Sequence, residues 1–414
     1  MKIAVWHNLP SGGGKRSLYH HVKGLLERGH TVESWCPPTA DQTYLPLSDL
    51  INENIVPLDQ PRERVGRIGR YWNLYQGVVD RIDAMNRHCQ QCAEEINRGD
   101  FDVLFTNPCA FFGTSPIARY VKILKVLYLQ EPYRLLYEAL PQLPWLAPPP
   151  PTQPWWASRR YWLMFVRNLL EVQGLRVKLR EELHNAQAFD LILVNSLFSR
   201  ESVLRAYGID SKVCYLGIDC QLFKPLHLPR QSMVVGLGAI SMGKGLERAV
   251  RAIETIPEDE RPNLVWIGNF SDPYYQKEIE KLAASLGVNF VPKVRIPDHE
   301  LVHFLNQASA MIYTPLLEPF GFAPLEANAC ETPVVALAEG GVRETIKDGI
   351  NGFLIHGNDS VAMGKAISTL LRDKELVNNM GKQARSYVLE MWSWDSAIDR
   401  LEEFLLSLTN TSSY

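Results

Sequence analysis

The stretch LLEPFGFAPLEANACETPVVA, from Leu316 to Ala336, sets two carboxylates, Glu318 and Glu326, eight positions apart across a turn of Pro, Phe and Gly. The preceding AMIYT reads as a strand, Pro315 to Gly321 as a loop, and APLEANACE as a helix with Pro324 in its first turn, where proline is tolerated. At the carboxyl end of a parallel strand, the free amides of a helix start face an anion, here those of Phe322, Ala323, Leu325 and Glu326. A carboxylate beside them accepts hydrogen bonds from hydroxyls. A ligand with both phosphate and many hydroxyls suits all of these groups, and a nucleotide sugar is such a molecule. The plainer alternative is that Glu326 complements the helix dipole and Glu318 is a solvated loop residue.

Two glycine-rich loops are further places to hold phosphate. GLGAISMGKGLERAV begins at Gly236, and Ser241 stands where a G-x-G-x-x-G fingerprint needs its third glycine; no G-K-S/T is present either. The loop offers Gly238 at a strand end and Lys244-Gly245 at a helix start, where Lys244 either neutralises phosphate or is a solvated lysine. Gly12-Gly13-Gly14 lets backbone amides approach a phosphate with no side chain between, or is simply a strand-helix turn. YLQEPYRLLYE (128–138) puts Gln130 and Glu131 at a strand end, serving a ligand or local hydrogen bonds. VNFVPKV (288–294) reads as a strand ending in Lys293 and Val294, where KVRIPDHEL (293–301) begins.

The elements that must position these residues alternate. KIAVW, HTVESWC, FDVLFT and VKILKVLYLQ read as strands separated by helical patterns, one of them covering about 71–98, and this βαβ rhythm predicts a parallel sheet. Between Leu140 and Trp156 the rhythm breaks in LPQLPWLAPPPPTQPWW, whose four consecutive prolines exclude helix and central strand. A basic stretch follows, with Arg159, Arg160, Arg167, Arg176, Lys178 and Arg180. FDLILVNSLFSRESVLRAYGI returns to strand then helix, with Asn195-Ser196 as a cap. A second series runs through MVVGLGAI, NLVWIGNF, VNFVPKV, SAMIYTP and TPVVALA. Two doubly wound α/β domains are expected: residues 1–218, and 219–394, with a C-terminal helix at about 395–414 packing back on the first.

At 414 residues, with 46% hydrophobic and 21% charged residues, the chain is expected to be a two-domain globular protein. A net charge of -3 gives no global attraction to nucleic acid, and none is expected as a partner. Seven scattered cysteines fit a reducing cytoplasm. No signal-peptide layout and no transmembrane run is read. Cys89-x-x-Cys92 lacks a second ligand pair, and no metal is expected. Trp145, Trp155, Trp156, Trp162 and the arginines fit an interfacial membrane element across 145–180; packing on the first domain is the alternative.

EPFGFAPLE resembles the E-x7-E motif of retaining glycosyltransferases of family 4, which adopt the GT-B fold of two Rossmann-like domains facing across a cleft. ANACETPVVALAEGGVRETIKDGINGFLI is similar to the helix, strand and Gly-Gly loop that follow it there. LVNSLFSRESVLRAYG, VCYLGIDCQLFKP and SGGGKRSLYHHVKGLLERGHTVESW resemble other family segments. The resemblance implies transfer of a hexose from a nucleoside-diphosphate sugar to a glycan or lipid-linked hydroxyl, with retention and without metal. It implies that Lys244, the Gly13-Gly14 turn and the amides near Leu325 bind phosphate. Glu318, with Phe320 and Gly321, orients the sugar, Glu326 holds the ribose, and the 293–301 loop cradles the base. Gln130 stands where the family often has histidine, and Ala239 where it usually has arginine. UDP-glucose is favoured over GDP-mannose, in surface polysaccharide or glycolipid synthesis, at the cytoplasmic face of the plasma membrane. A nucleotide-sugar 2-epimerase and a non-catalytic nucleotide-sugar-binding subunit are the rivals.

Overall fold

The computed structural model describes residues 1–61, 64–138, 146 and 158–411. Trp145, Trp155, Trp156 and the prolines 148–151 lie outside the described residues.

The chain divides into two compact units: Met1–Val194 with Arg200–Cys214 and Arg400–Tyr414, and Asn195–Ser199 with Tyr215–Asp399. In the first, the strands are β1 (Lys2–Asn8), β2 (Thr31–Cys36), β3 (Glu53–Ile55), β4 (Val103–Cys109), β5 (Leu124–Tyr128), β6 (Leu191–Val194) and β7 (Lys212–Val213). They form one parallel sheet in the order β3-β2-β1-β4-β5-β6-β7. In the second, β8 (Gln231–Leu237), β9 (Asn263–Gly268), β10 (Phe290–Val294), β11 (Ala308–Tyr313), β12 (Val334–Leu337) and β13 (Gly352–Ile355) run parallel in the order β10-β9-β8-β11-β12-β13.

Helices cover both faces of such sheets, so the central strands are apolar throughout rather than alternating. Met233 to Val235 and Ala310 to Ile312 are buried without a break. Val234, Trp266, Ile312 and Val335 share one core with Leu246, Val250 and Ile253 of helix Leu246–Glu254 and with Met363, Ile367 and Leu370 of helix Ser360–Arg372. In the first unit Trp6, Leu104 and Phe112 pack with Met85, Cys89, Cys92 and Ile96 of helix Gly66–Arg98. The Cys89-x-x-Cys92 pair is therefore core, and burial pushes both thiols up.

The units are not the continuous 1–218 and 219–394 of the expectation, and hydrogen bonds explain the difference. Ser196 caps helix Leu197–Tyr207 through the Ser199 N–H at 2.9 Å and donates its hydroxyl to the Pro319 carbonyl at 2.5 Å. Glu344 accepts from the N–H of Leu197 at 2.8 Å and from the Tyr215 hydroxyl at 2.9 Å. Those contacts tie 195–199 and Tyr215 to the second unit. Helix Trp394–Thr411 starts in that unit, but from Arg400 onward it belongs to the first. Among the described residues, no helix is long and apolar enough to cross a membrane.

Candidate functional site

In the second sheet the strand order reverses between β8 and β11, and a doubly wound fold opens its ligand crevice at the carboxyl ends of such a pair. Both expected charge-bearing loops leave from there. After β8 the chain turns through Gly238 and a short 3-10 turn, Met242–Lys244, into helix Leu246–Glu254. After β11 it runs through Pro315 to Gly321 into helix Phe322–Ala329. Thr314 joins the two: its hydroxyl lies 3.0 Å from the Lys244 carbonyl oxygen and 2.9 Å from that of Gly245.

Across this junction Lys244 Nζ donates to Glu318 Oε2 at 2.8 Å. The side chains are 29% and 20% exposed, so the pair is reachable from solvent. A pair this wet is worth up to ~1 kcal/mol, little enough for a charged ligand to replace it. The backbone of the Glu318 loop is held firmly. Leu317 sits at φ 53°, a conformation an L side chain adopts only when its surroundings impose it. Gly341 donates its N–H to the Glu318 carbonyl at 2.8 Å. A Cβ on Gly340, itself at φ 57°, would stand 2.3 Å from that carbonyl oxygen. Only glycine permits the approach.

Helix Phe322–Ala329 starts from Gly321 at φ 93° with no side-chain cap, which leaves its first amides for a ligand. Phe320 is buried against Phe322 and Trp392 with ring centroids 5.3 and 5.5 Å away, an anchor for the loop. Ala323, Leu325 and Glu326 are buried. The Glu326 charge adds to burial in pushing the Cys330 thiol up to about 12. Lys293 and Val294 end β10, beyond β9 from the β8–β11 junction; Lys293 lies over the Phe304 ring at 5.6 Å.

In the first unit, Gly13 opens helix Gly13–Glu27 at the end of β1. A Cβ on Gly14 would meet Gln130 Nε2 at 3.2 Å, so the turn and the β5 end, 116 positions apart, come together (130 − 14). Gln130 Nε2 is buried with no acceptor among the described residues. Glu131 receives the Arg134 guanidinium at 2.8 Å, a local ion pair.

Two polar clusters had no sequence signal. His7, Cys36 and Glu53 come from three strands, their ligand-type atoms all within 4.8 Å of one another. His7 Nε2 and Glu53 Oε1 are 2.8 Å apart. The buried Lys15 ammonium beside them, in the field of Glu53 and Cys36, supplies a positive charge that disfavours a cation there. Glu182, on helix Arg159–Ala186, is sealed below Gly113 and accepts from the Tyr207 hydroxyl at 2.7 Å. Burial pushes its carboxyl up to about 7, and pushes the Lys178 ammonium down to about 8.

Two motif-like runs also resolve. His299-Glu300-Leu301-Val302-His303 is an H-E-x-x-H run on helix Asp298–Gln307, with both imidazoles exposed, and among the described residues no third ligand joins it. Asp100-Phe101-Asp102 precedes β4 at the amino edge of its sheet, where Asp102 accepts the Lys2 N–H at 2.7 Å. A cavity of about 670 Å³ opens at the amino ends of β8 and β11, lined by Arg230, Asn306 and Glu331 among others. Arg230 is committed there to the carbonyls of Ala308 and Glu331, a strut rather than a receptor.

The sequence model of the family described as Glycosyl transferases group 1 matches residues 221–387. D-inositol 3-phosphate glycosyltransferase of Xylanimonas cellulosilytica is 30% identical over 232 residues, 51% of this chain and 55% of that one. Alpha-maltose-1-phosphate synthase of Mycolicibacterium smegmatis is 28% identical, over 53% of this chain and 64% of its own. The chain thus spans about half the length of the curated relatives it matches. Sucrose-phosphate synthase from Thermosynechococcus elongatus has the same fold at TM-score 0.71, with 19% identity over 99% of both chains. Anabaena HepE, solved in complex with UDP and glucose, superposes at TM-score 0.67, with 19% identity over 98% of this chain and 100% of that one. The parallel sheets give the chain the two-domain GT-B fold of these solved structures, and residues 221–387, which carry the E-x7-E helix, are similar to the group 1 glycosyltransferases.

Proposed function

We propose that the chain transfers a hexosyl group from a nucleoside-diphosphate sugar to a hydroxyl of a glycan or lipid-linked acceptor, with retention at the anomeric carbon. The observation that carries this reading is the meeting of Lys244 and Glu318 at the β8–β11 switch point, with buried Glu326 in the helix that follows the Glu318 loop. Lys244, the amides at the start of helix Phe322–Ala329 and the Gly13-Gly14 turn take the diphosphate. Glu318, with the Phe320-Gly321 backbone, orients the sugar hydroxyls, and Glu326 takes the ribose hydroxyls. Lys293 and Val294 border the base, and Gln130 contributes an amide to sugar or acceptor.

In the reaction the C1–O bond to the diphosphate breaks as the acceptor oxygen forms its bond on the same face. The acceptor proton passes to the departing phosphate oxygen. The protein's part is electrostatic stabilisation and alignment, and no metal is required. UDP-glucose is the favoured donor, supported by the UDP and glucose bound to the HepE relative. Cytoplasmic surface-glycan or glycolipid synthesis, with peripheral membrane contact through residues 145–180, is the proposed setting.

The test is donor turnover: purified chain with UDP-, GDP- and ADP-sugars, with and without EDTA, following released nucleotide. Slow release from one donor that survives EDTA and is lost in Glu326→Ala supports the reading. Epimerised donor without acceptor would point to a 2-epimerase, and nucleotide binding with no turnover in any acceptor screen to a binding subunit.

A further inference from the structure

Helices Gly66–Arg98 and Arg159–Ala186 of the first unit pack parallel. A Cβ on Gly174 would stand 2.7 Å from the Leu74 carbonyl oxygen. About two to three turns further on, Arg119 reaches Asn86 on one helix at 3.2 Å and Glu181 on the other at 3.0 Å. Carried back along both helices, this register sets Gly66 beside residue 166 (66 + 100), so the second helix starts about two turns before the first and its residues 162–172 lie alongside the start of the first.

The first two or three turns of these helices expose large apolar side chains. Val65 is 97% exposed and Trp72 46%; on the second helix Leu169 is 55% exposed and Trp162 49%, with Leu163 and Met164 also exposed. A helix that buries a face leaves polar residues outward, and here consecutive apolar side chains point outward instead. The same segments, 64–72 and 159–171, carry six arginines and a single acid, Glu171. Arg64 lies over the Trp72 ring at 4.7 Å, and Arg159, Arg160 and Arg70 are exposed. Tryptophan, aliphatic side chains and arginine together are the composition of a surface that sits at headgroup depth. A second copy is a poor occupant: an isologous contact would set arginines against arginines.

We propose that the paired starts of these helices form a docking surface for an anionic lipid bilayer. Val65, Trp72, Trp162 and Leu169 enter the headgroup boundary, and the arginines meet lipid phosphates. This extends the membrane contact named above to a second helix, and it stands whether or not the chain transfers a sugar.

The experiment is sedimentation of the full chain with vesicles of phosphatidylcholine, alone or mixed with phosphatidylglycerol. The expected result is binding to the mixed vesicles only, weakened by salt. Arg159→Ala/Arg160→Ala, Trp162→Ser/Leu169→Ser and Trp72→Ser should each weaken it, the arginine pair by about tenfold or more. Circular dichroism and thermal unfolding should not change, because these side chains are exposed. Equal binding by all variants would overturn the proposal, as would no binding to the anionic vesicles. Sedimentation velocity showing a dimer that the same variants dissolve would also overturn it, assigning the patch to a second copy.

Discussion

Lys244 Nζ and Glu318 Oε2 stand 2.8 Å apart, 74 positions apart in sequence (318 − 244). The two groups proposed to meet a donor's phosphate and sugar thus neutralise each other in the free chain. Under the proposed roles, donor binding would exchange this one ion pair for two interactions, a phosphate on the lysine and a hydroxyl on the carboxylate. The resting pair prevents either charge from standing alone in a half-buried site.

Because the residues form one pair, their removal should not add. Lys244→Ala and Glu318→Ala should each lower kcat/KM by about two orders of magnitude, and the double variant should fall well short of the product. Full additivity across the cycle, measured by initial rates of nucleotide release, would show that the pair has no joint role.

Glu326 and Glu318 should separate kinetically. Glu326→Ala should raise donor KM by about tenfold or more, while Glu318→Ala chiefly lowers kcat. Steady-state kinetics with a saturating acceptor reads both. Unchanged donor constants in both variants would remove the assignment of these acids.

Gly340→Ala tests the backbone that carries Glu318. The new Cβ would lie 2.3 Å from the Glu318 carbonyl oxygen at a φ of 57°. The expected cost is about 2–4 kcal/mol of stability. Urea unfolding followed by tryptophan fluorescence measures it, and a midpoint equal to wild type would refute the tight approach.

Glu182 gives the first unit a pH signature. Its folded-state carboxyl is raised from the ordinary 4.5 to about 7 by burial, so the folded chain keeps a proton that the unfolded chain releases. This contribution to stability is full below pH 4.5 and is lost as pH rises to about 7. Glu182→Gln, which keeps an acceptor for the Tyr207 hydroxyl, should flatten that slope. Denaturation midpoints taken across this interval would decide; an unaltered slope would assign the proton elsewhere.

The sheets were legible because strands buried on both faces are continuous apolar runs, and MVVGLGAI or SAMIYTP cannot be mistaken for helix turns of that length. β3 escaped because Glu53-Asn54-Ile55 is a three-residue edge with a single apolar side chain. The E-x7-E helix and Lys244-Gly245 loop were readable as local patterns. Their meeting was not, since it depends on which strands become neighbours. The same holds for His7, Cys36 and Glu53, brought together by three strand ends, and for Glu182, whose acidity reflects a burial no local pattern encodes. Gly340-Gly341 was visible as a dipeptide. That its lack of side chains lets the Glu318 backbone pass was not.

Helix Trp394–Thr411 has a consequence for the order in which the chain is made. From Arg400 onward it belongs to the first unit, where His30 Nε2 lies 2.7 Å from Glu402 Oε1 and Leu401 and Leu405 are buried. Domains usually fold from the amino terminus as they leave the ribosome. Here the amino-terminal unit stays incomplete until the residues from Arg400 onward emerge, whereas the second unit is complete once Asp399 is out. The half that is begun first is therefore completed after the half that follows it, and a ribosome that stops before Arg400 leaves the first unit without its closing helix.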